Sequence, residues 1–354
     1  MPELSSHFRQ VTPYVPGIQP APSPDLIKLN TNENPYPPSP AVKEALSRTS
    51  AERLRLYPSP EAEPLGETIG AHFGLSSSQI FTGNGSDEVL ALAFLAFFAD
   101  GKPVYFPDVT YSFYEVWADL FSIPFEKKRL GDDLRMVASD YAGAPGGIVF
   151  PNPNAPTGIC EPLSFIEEIL TANRDVCVIV DEAYIDFGGK SAISLIGKYD
   201  NLLVVQTFSK SRSLAGMRIG FAAGAKGLIE RLKDVKYSFN SYTMSRVSID
   251  VGCAAVKDHA YFEETREKII HTRERMERAL AALEFEFPQS QANFLFVRHP
   301  RIDAAVLYGA LLEKKIYVRH FDAERTRDYL RITVGTDEET DVLLKFLTEY
   351  LKGR

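Results

Sequence analysis

The sequence predicts an α/β fold in which a largely parallel sheet carries helices on its faces. From about residue 60 to residue 223, apolar runs of strand length alternate with longer helical runs, as is typical of parallel sheets. The last third of the chain mixes short strands with two helices, which indicates a smaller α+β domain. We therefore predict an N-terminal arm over residues 1–30, a large domain over 31–255 and a small domain over 256–354.

The arm is rich in proline, serine and glycine and shows no hydrophobic period. Beyond the arm, helices are predicted where apolar residues recur at helical spacing: Glu61–Phe73, Ser86–Asp100, Tyr111–Phe121, Leu163–Ala172, a mostly helical stretch from Leu228 to about His271, Ala304–Glu313 and Asp337–Leu351. Strands are predicted at short apolar runs: Ile80–Thr82, Val104–Phe106, Gly147–Phe150, Val176–Val180, Leu202–Gln206, Ile219–Ala223, Asn293–Val297, Ile316–Arg319 and Leu330–Thr333.

The composition argues against several classes of function. The 354 residues carry a net charge of −8, and no basic run with interleaved aromatic residues indicates nucleic-acid binding. The longest apolar run, Val89–Ala99, is shorter than the roughly 20 residues that span a bilayer, and the N-terminus does not resemble a signal peptide. The three cysteines lack Cys-x-x-Cys spacing, so we expect no disulfide framework or metal site, and a cytoplasmic protein.

Lys210 is the first candidate for chemistry. It follows the apolar run Leu202–Val205, has serine on both sides and precedes Arg218 by eight residues. A lysine held at a strand end near another cation is suited to forming a Schiff base with a carbonyl compound. An ordinary surface turn is the alternative interpretation of Ser-Lys-Ser alone.

Other candidates follow predicted strands, where ligands bind in open α/β sheets. The segment Gly83–Glu88 joins a strand to a helix, so its free N–H groups can bind an anion, or it is a glycine-rich turn with a helix cap. Asp181 follows the apolar run Val176–Val180, where a carboxylate needs a partner such as a protonated ring nitrogen. Tyr184 lies nearby and can donate to a phenolate oxygen. Alternatively, Asp181 caps the next segment.

Two further residues suggest cofactor and substrate contacts. The ring of Tyr111 can stack on a flat cofactor, or it belongs to the core. Arg331 alternates with apolar residues in a predicted strand, and its guanidinium suits a carboxylate or phosphate, a structural ion pair being the alternative. Together the candidates supply an amine, an anion-binding turn, a ring-nitrogen partner, a stacking ring and an arginine, which is the set that pyridoxal phosphate chemistry requires.

These motifs resemble those of the fold-type I pyridoxal-phosphate-dependent aminotransferases, and in particular of the histidinol-phosphate aminotransferases. Asp181–Tyr184 matches the family's D-E-A-Y, and Thr207–Gly216 fits the signature around its lysine. Asn30–Pro35 and Pro13–Gly17 match two motifs that are more specific to this enzyme. Leu56–Pro58 matches its R-Y-P motif, with leucine in place of arginine. The resemblance covers nearly the whole chain.

The resemblance implies a role for each matching residue. The catalytic group would be Lys210, which binds pyridoxal 5′-phosphate, with Asp181 on the pyridine nitrogen and Tyr184 on the ring 3-oxygen. The other cofactor-binding residues would be Tyr111, Gly85, Ser86, Asp87, Ser209 and Arg218, with Tyr57 reaching the phosphate in the neighbouring subunit of a homodimer. The substrate-binding residues would be Tyr14, Asn32, Arg319 and Arg331.

One position departs from the family's pattern. Its N-P-T-G motif places an asparagine against the ring 3-oxygen, whereas residues 152–158 read N-P-N-A-P-T-G here and put Ala155 at that position. Either Asn154 supplies the missing amide, and is a cofactor-binding residue, or Tyr184 binds the oxygen alone.

The resemblance implies transamination of L-histidinol phosphate with 2-oxoglutarate, which yields imidazole acetol phosphate and glutamate in histidine biosynthesis. Lys210, once displaced from the cofactor, would act as the general base. An aromatic amino acid aminotransferase or a threonine-phosphate decarboxylase on the same fold stays open as an alternative. A non-enzymatic effector-binding module is the alternative of another class, but the chain retains Lys210 and shows no basic helix-turn-helix stretch.

Overall fold

A computed structural model describes residues 11–21 and 23–353 of the chain. After a short β1 (Ile27–Lys28), the strands of the central sheet are β2 (Ile80–Gly83), β3 (Val104–Pro107), β4 (Phe125–Lys128), β5 (Ile148–Pro151), β6 (Val178–Asp181), β7 (Leu202–Thr207) and β8 (Gly220–Gly224). The strand order is β2-β8-β7-β6-β5-β3-β4. Strand β8 runs antiparallel to both of its neighbours, while the pairs from β7 to β4 are parallel. The predicted α/β fold with a largely parallel sheet is confirmed.

The helices that accompany this sheet are α1 (Pro40–Ser47), α2 (Glu63–Phe73), α3 (Ser86–Phe97), α4 (Phe113–Phe121), α5 (Leu163–Ala172), α6 (Lys226–Phe239) and α7 (Arg246–Lys257), followed by the long α8 (His259–Ala282). Every residue of β5, β6 and β7 is buried. These strands are covered on both faces, so they consist of continuous Val, Ile and Leu runs rather than an alternating pattern. Burying each such side chain contributes roughly 1.5–3 kcal/mol before the entropy of ordering is counted.

The C-terminal third contains β9 (Phe294–Val297), α9 (Ala304–Glu313), β10 (Ile316–Tyr317), β11 (Arg319–His320), β12 (Leu330–Thr333) and α10 (Asp337–Lys352). Strands β11, β12 and β9 form an antiparallel sheet, and β1 pairs in parallel with β10. The end of the predicted arm is therefore attached to the C-terminal third. The division into an arm and two domains stays a prediction.

The observed boundaries differ from the predicted ones at informative places. Strand β6 includes Asp181 rather than ending before it, and α4 begins at Phe113, so Tyr111 lies in the loop that precedes the helix. Strand β4 was not predicted because its sequence, F-E-K-K, is too charged, which is characteristic of an edge strand. Within the described part of the chain, no helix combines the length and apolar character that crossing a membrane demands.

Candidate active site

A cavity of about 260 Å³ lies where β5, β6 and β7 end. This is the edge at which ligands bind in open α/β sheets. The cavity is also bounded by the segment that precedes α1 and by strands β11 and β12. It brings together twelve of the predicted site residues: Tyr14, Asn32, Ser86, Asp87, Tyr111, Asp181, Tyr184, Ser209, Lys210, Arg218, Arg319 and Arg331.

The Asp181 carboxylate is buried and bonded by neutral groups. The hydroxyl of Tyr114 donates to Asp181 Oδ2 at 2.9 Å, and the backbone N–H of Ala183 donates to Oδ1 at 3.2 Å. Burial raises the pKa of Asp181 to about 6, although these two hydrogen bonds oppose the rise. Burial, followed by the negative charge of Asp181, raises the pKa of Tyr114 well above its usual value. A carboxylate held by a phenol and an amide in this way is suited to a cationic partner from a ligand.

Tyr114 was missed in the sequence analysis. It lies in the first turn of α4, three residues after Tyr111, and its side chain is completely buried. Its ring lies edge-on to that of Tyr111, with centroids 5.7 Å apart. However, the sequence pattern alone makes Tyr114 an ordinary core residue, because nothing local connects it to Asp181.

The Lys210 amine lines the cavity and is held by the segment before α1. Its Nζ donates to the carbonyl oxygen of Thr31 at 3.1 Å and lies 5.7 Å from the centre of the Tyr184 ring. The Asn34 amide donates to the carbonyl oxygens of Lys210 and Ser211, at 3.0 and 3.2 Å. The residues from Thr31 to Asn34 thus position both the backbone and the amine of the lysine. Thr31 and Asn34 lie in the N-T-N-E-N-P motif, but neither was a predicted site residue.

An anion-binding region lies at the start of α3. The hydroxyl of Tyr111 donates to Asp87 Oδ1 at 2.9 Å, and Arg218 Nη2 donates to Asp87 Oδ2, also at 2.9 Å. Gly85, the residue before α3, has φ of 89°, and a Cβ atom there would lie 2.6 Å from Arg218 Nη2. Gly85 does not line the cavity, but it allows the guanidinium to approach the helix N-terminus. Ser209 follows β7, and its Oγ accepts a hydrogen bond from the Thr207 hydroxyl at 3.0 Å.

Two arginines and Tyr14 also line the cavity. Arg319 on β11 and Arg331 on β12 are directly opposed across the strand pair. Arg331 Nη2 donates to the Asn30 carbonyl at 3.0 Å, while its buried Nε has no partner among the described residues. Burial lowers the pKa of Arg331 from its usual value. The ring of Tyr14 stacks on Phe113, with centroids 4.2 Å apart. The arrangement leaves guanidinium donors available for an anionic ligand.

The side-chain amide of Asn154 has two partners within the protein. Its amide nitrogen donates to the Val109 carbonyl at 3.0 Å and to the Thr157 hydroxyl at 3.2 Å. Asn154 is buried beside the cavity but does not line it, whereas Ala155 and Pro156 do. One of these hydrogen bonds lies within the loop, and the other ties the loop to the segment after β3. A cofactor-binding role for Asn154 stays a prediction.

Tyr57 lies apart from the cavity of its own chain. The residue is 78% exposed, and its ring stacks on Tyr242 with centroids 4.6 Å apart. Arg246 Nη2 donates to its backbone carbonyl at 2.9 Å. The side chain is therefore held at the surface and does not complete the site of the same chain.

Comparison with known proteins places this fold and site in one class. The profile of the family described as aminotransferase class I and II matches residues 24–347. The chain is 52% identical over 353 residues to histidinol-phosphate aminotransferase 1 of Methylococcus capsulatus, which covers 100% of this chain and 99% of the relative. It is 49% identical over 349 residues to histidinol-phosphate aminotransferase of Lactococcus lactis subsp. cremoris. This match covers 99% of this chain and 98% of the relative.

Solved structures share the fold. Histidinol-phosphate aminotransferase of Sinorhizobium meliloti in complex with pyridoxal-5′-phosphate aligns with a TM-score of 0.83 at 24% identity, over 92% of this chain and 91% of that one. The enzyme of Clostridium acetobutylicum aligns with a TM-score of 0.85 at 20% identity, over 93% and 100%. The chain belongs to the aminotransferase class I and II family. Within it, the relatives that it matches over nearly their full length are histidinol-phosphate aminotransferases.

Proposed function

We propose that the protein is a pyridoxal-phosphate-dependent aminotransferase of histidine biosynthesis, which transfers the amino group of L-histidinol phosphate to 2-oxoglutarate. The observation that carries the proposal is the convergence of the Lys210 amine, the Asp181 carboxylate and two arginines on one cavity. The relatives named for this activity, at about 50% identity over nearly the whole chain, support the choice of substrate.

The residues present fit the cofactor. Asp181 is a buried carboxylate bonded by a neutral phenol and a backbone N–H, so a protonated ring nitrogen would relieve its cost of burial. At the start of α3, Gly85 leaves room for the Arg218 guanidinium close to the helix N-terminus. This cation can bind a phosphate there. Tyr111, with its aromatic ring, and the amine of Lys210 line the same cavity.

When bound, pyridoxal phosphate supplies an aldehyde that reacts with amines and a ring that accepts the electrons of the substrate's Cα–H bond. Lys210 would hold the cofactor through its amine, and its free amine would accept the substrate's Cα proton. Asp181 would hold the proton on the ring nitrogen, and Tyr184 would donate toward the ring oxygen. The phosphate would be held by the backbone N–H groups, hydroxyl and guanidinium of Ser86, Asp87, Ser209 and Arg218.

Arg331 and Arg319 bind the acidic group of each substrate. The phosphate ester of L-histidinol phosphate and the carboxylate of 2-oxoglutarate both present oxygens that a planar guanidinium can bind with two hydrogen bonds. Arg331 Nε has no partner among the described residues, so it is available for one of these two hydrogen bonds. Tyr14 lines the same cavity.

We also propose a homodimer in which Tyr57 reaches the cofactor phosphate of the partner subunit. Tyr57 is exposed beside two other large apolar residues of the same loop, Leu54 and Leu56, which are 59% and 52% exposed. Phe239, at the end of α6, is 73% exposed. We take these exposed apolar side chains as support for an interface with the partner subunit. A cytoplasmic location and the division into domains at residues 30 and 255 are part of the same proposal.

Steady-state kinetics test the proposed substrate. With 2-oxoglutarate as acceptor, kcat/KM is measured for L-histidinol phosphate, phenylalanine and threonine phosphate as amino donors. We expect the highest value for L-histidinol phosphate. A higher value for phenylalanine would favour an aromatic aminotransferase, and release of carbon dioxide from threonine phosphate would favour the decarboxylase.

A further inference from the structure

The side-chain amide of Asn32, a predicted substrate-binding residue, is hydrogen-bonded to Tyr184. Its Nδ2 donates to the Tyr184 hydroxyl at 3.0 Å, across 152 residues of sequence. The backbone of Asn32 has φ of 55°, a left-handed conformation that asparagine adopts more readily than most residues. The Asn293 amide donates to the Asn32 carbonyl at 3.1 Å. Asn32 and Asn293 are both almost completely buried, so these hydrogen bonds are shielded from water.

Thr333, on β12, fixes which way the Asn32 amide faces. The backbone N–H of Asn32 donates to Thr333 Oγ1 at 3.0 Å. The Thr333 hydroxyl uses its own proton to donate to Asn32 Oδ1, also at 3.0 Å. With its oxygen committed to Thr333, the amide must turn its N–H groups toward Tyr184.

The direction of the Tyr184 proton follows from this arrangement. Because the hydroxyl oxygen accepts a hydrogen bond from Asn32, its own proton points elsewhere, and the cavity that Tyr184 lines is open to it. The ring itself is held edge-on against Phe294, with centroids 5.0 Å apart. Ala155 and Pro156 line the same cavity, and neither side chain carries a hydrogen-bond donor.

We propose that Asn32 and Thr333 are positioning residues that orient the Tyr184 hydroxyl as a donor into the cavity, toward the ring oxygen of the cofactor. This rests on the proposed function, because the acceptor is part of pyridoxal phosphate. Asn32 is thereby reassigned from substrate binding. The hydrogen bonds that run from Thr333 through Asn32 to Tyr184, here called the relay, also connect β12 with the cofactor side of the cavity. Strand β12 carries the substrate arginine Arg331.

The visible absorption of the cofactor-loaded protein reports this donor directly. With pyridoxal phosphate bound, the nitrogen of Lys210 would carry a proton that the ring oxygen of the cofactor could share. A hydrogen bond from Tyr184 stabilises negative charge on that oxygen and so favours loss of the proton. Weakening the donor therefore raises the pH midpoint at which the visible band changes. Loss of one hydrogen bond is expected to raise this midpoint by roughly 0.5–1 pH unit.

The test measures this midpoint for Tyr184→Phe, Asn32→Gly and the double variant. Glycine keeps the left-handed backbone of Asn32, and both changes replace neutral groups, so the charges of Lys210 and Arg331 that face Tyr184 are retained. We expect both single variants to raise the midpoint and the double variant to match Tyr184→Phe. An unchanged midpoint in Asn32→Gly beside a raised one in Tyr184→Phe would overturn the proposal, as would additive shifts.

Thr333 supplies a second route should Asn32→Gly fold poorly. Thr333→Ser keeps the hydroxyl and is expected to retain the wild-type midpoint, whereas Thr333→Val is expected to raise it. Equal midpoints for the two variants contradict the relay. The proposed function fails separately: a protein that shows no visible band with pyridoxal phosphate, or whose band persists after borohydride treatment, refutes the cofactor chemistry itself.

Discussion

The hydroxyl of Tyr114 donates a 2.9 Å hydrogen bond to Asp181 Oδ2 in the buried floor of the cavity. This contact, across 67 residues of sequence, gives the carboxylate a donor where water is excluded. Tyr114→Phe removes the donor with little change of shape. Hydrogen bonds to charged groups contribute about 1.5–3 kcal/mol, so we expect pyridoxal phosphate affinity to fall roughly 10- to 100-fold. Equilibrium titration of the cofactor-free protein measures it.

A matched control is available in Tyr199. Its buried side chain likewise donates to a carboxylate, Glu167 Oε1 at 3.2 Å, but at a distance from the cavity. Tyr199→Phe should leave the cofactor affinity within about twofold of wild type. If both variants weaken binding equally, the effect belongs to general stability and not to the Asp181 contact.

The raised pKa of Asp181 predicts a pH dependence of stability in the cofactor-free protein. With a pKa that rises from 3.8 to about 6 on folding, the folded state binds more protons than the unfolded state between these values. The contribution to stability is therefore present below pH 4 and is lost as pH rises through 6. This rise in the pKa of Asp181 corresponds to a change of roughly 3 kcal/mol in the free energy of unfolding.

Urea unfolding of wild type and Asp181→Asn at pH 4 to 7 checks this sign. The free energy of unfolding of wild type, relative to that of Asp181→Asn, should fall as pH rises and level off above pH 6. Burial also raises the pKa of Glu182, to about 7, but that group is common to both proteins and cancels in the difference. A difference that rises with pH contradicts the assignment.

Hybrid dimers test the proposed role of Tyr57. Lys210→Ala lacks the catalytic amine, and Tyr57→Phe lacks the hydroxyl given to the partner subunit. In a mixed dimer, the site with Lys210 receives Tyr57 from the other subunit and is complete. After unfolding and refolding together in equal amounts, we expect about a quarter of wild-type activity. Activity that equals the average of the separate variants contradicts sharing of the site.

Arg325 connects the loop between β11 and β12 to the central sheet. Its Nη1 donates to Asp108 Oδ2 at 2.7 Å and its Nη2 to the Gly131 carbonyl at 3.0 Å. The loop joins the strands that carry Arg319 and Arg331, so Arg325→Ala should raise KM for 2-oxoglutarate about 3- to 10-fold while kcat changes little. The control is Arg301→Ala, which removes an exposed ion pair with Glu284 and should change neither constant.

Much of the site was predictable because its residues lie in local motifs at strand ends. Lys210, Asp181 and the start of α3 occupy such positions, and the structure brings Lys210, Asp181, Ser86 and Asp87 to one cavity. Arg331 was predictable from its place in an alternating strand. The α/β fold followed from the alternation of strands and helices, which depends on local sequence.

What sequence could not predict depends on contacts between distant segments. Tyr114 meets Asp181 across 67 residues, and Asn32 meets Thr333 across 301. Tertiary packing decides such pairs, and no local period records them. The Asn154 amide is another such case, because it donates to the Val109 carbonyl across 45 residues. Strand β4 was missed since an exposed edge strand tolerates charged residues.

The most direct test of the central claim follows the visible spectrum of the pyridoxal-phosphate-loaded protein while L-histidinol phosphate is added without an acceptor. We predict that the band attached to Lys210 is lost as one equivalent of imidazole acetol phosphate forms, and that 2-oxoglutarate restores it. Lys210→Ala should form no product. A band that L-histidinol phosphate leaves unchanged, while phenylalanine or threonine phosphate removes it, would contradict the claim.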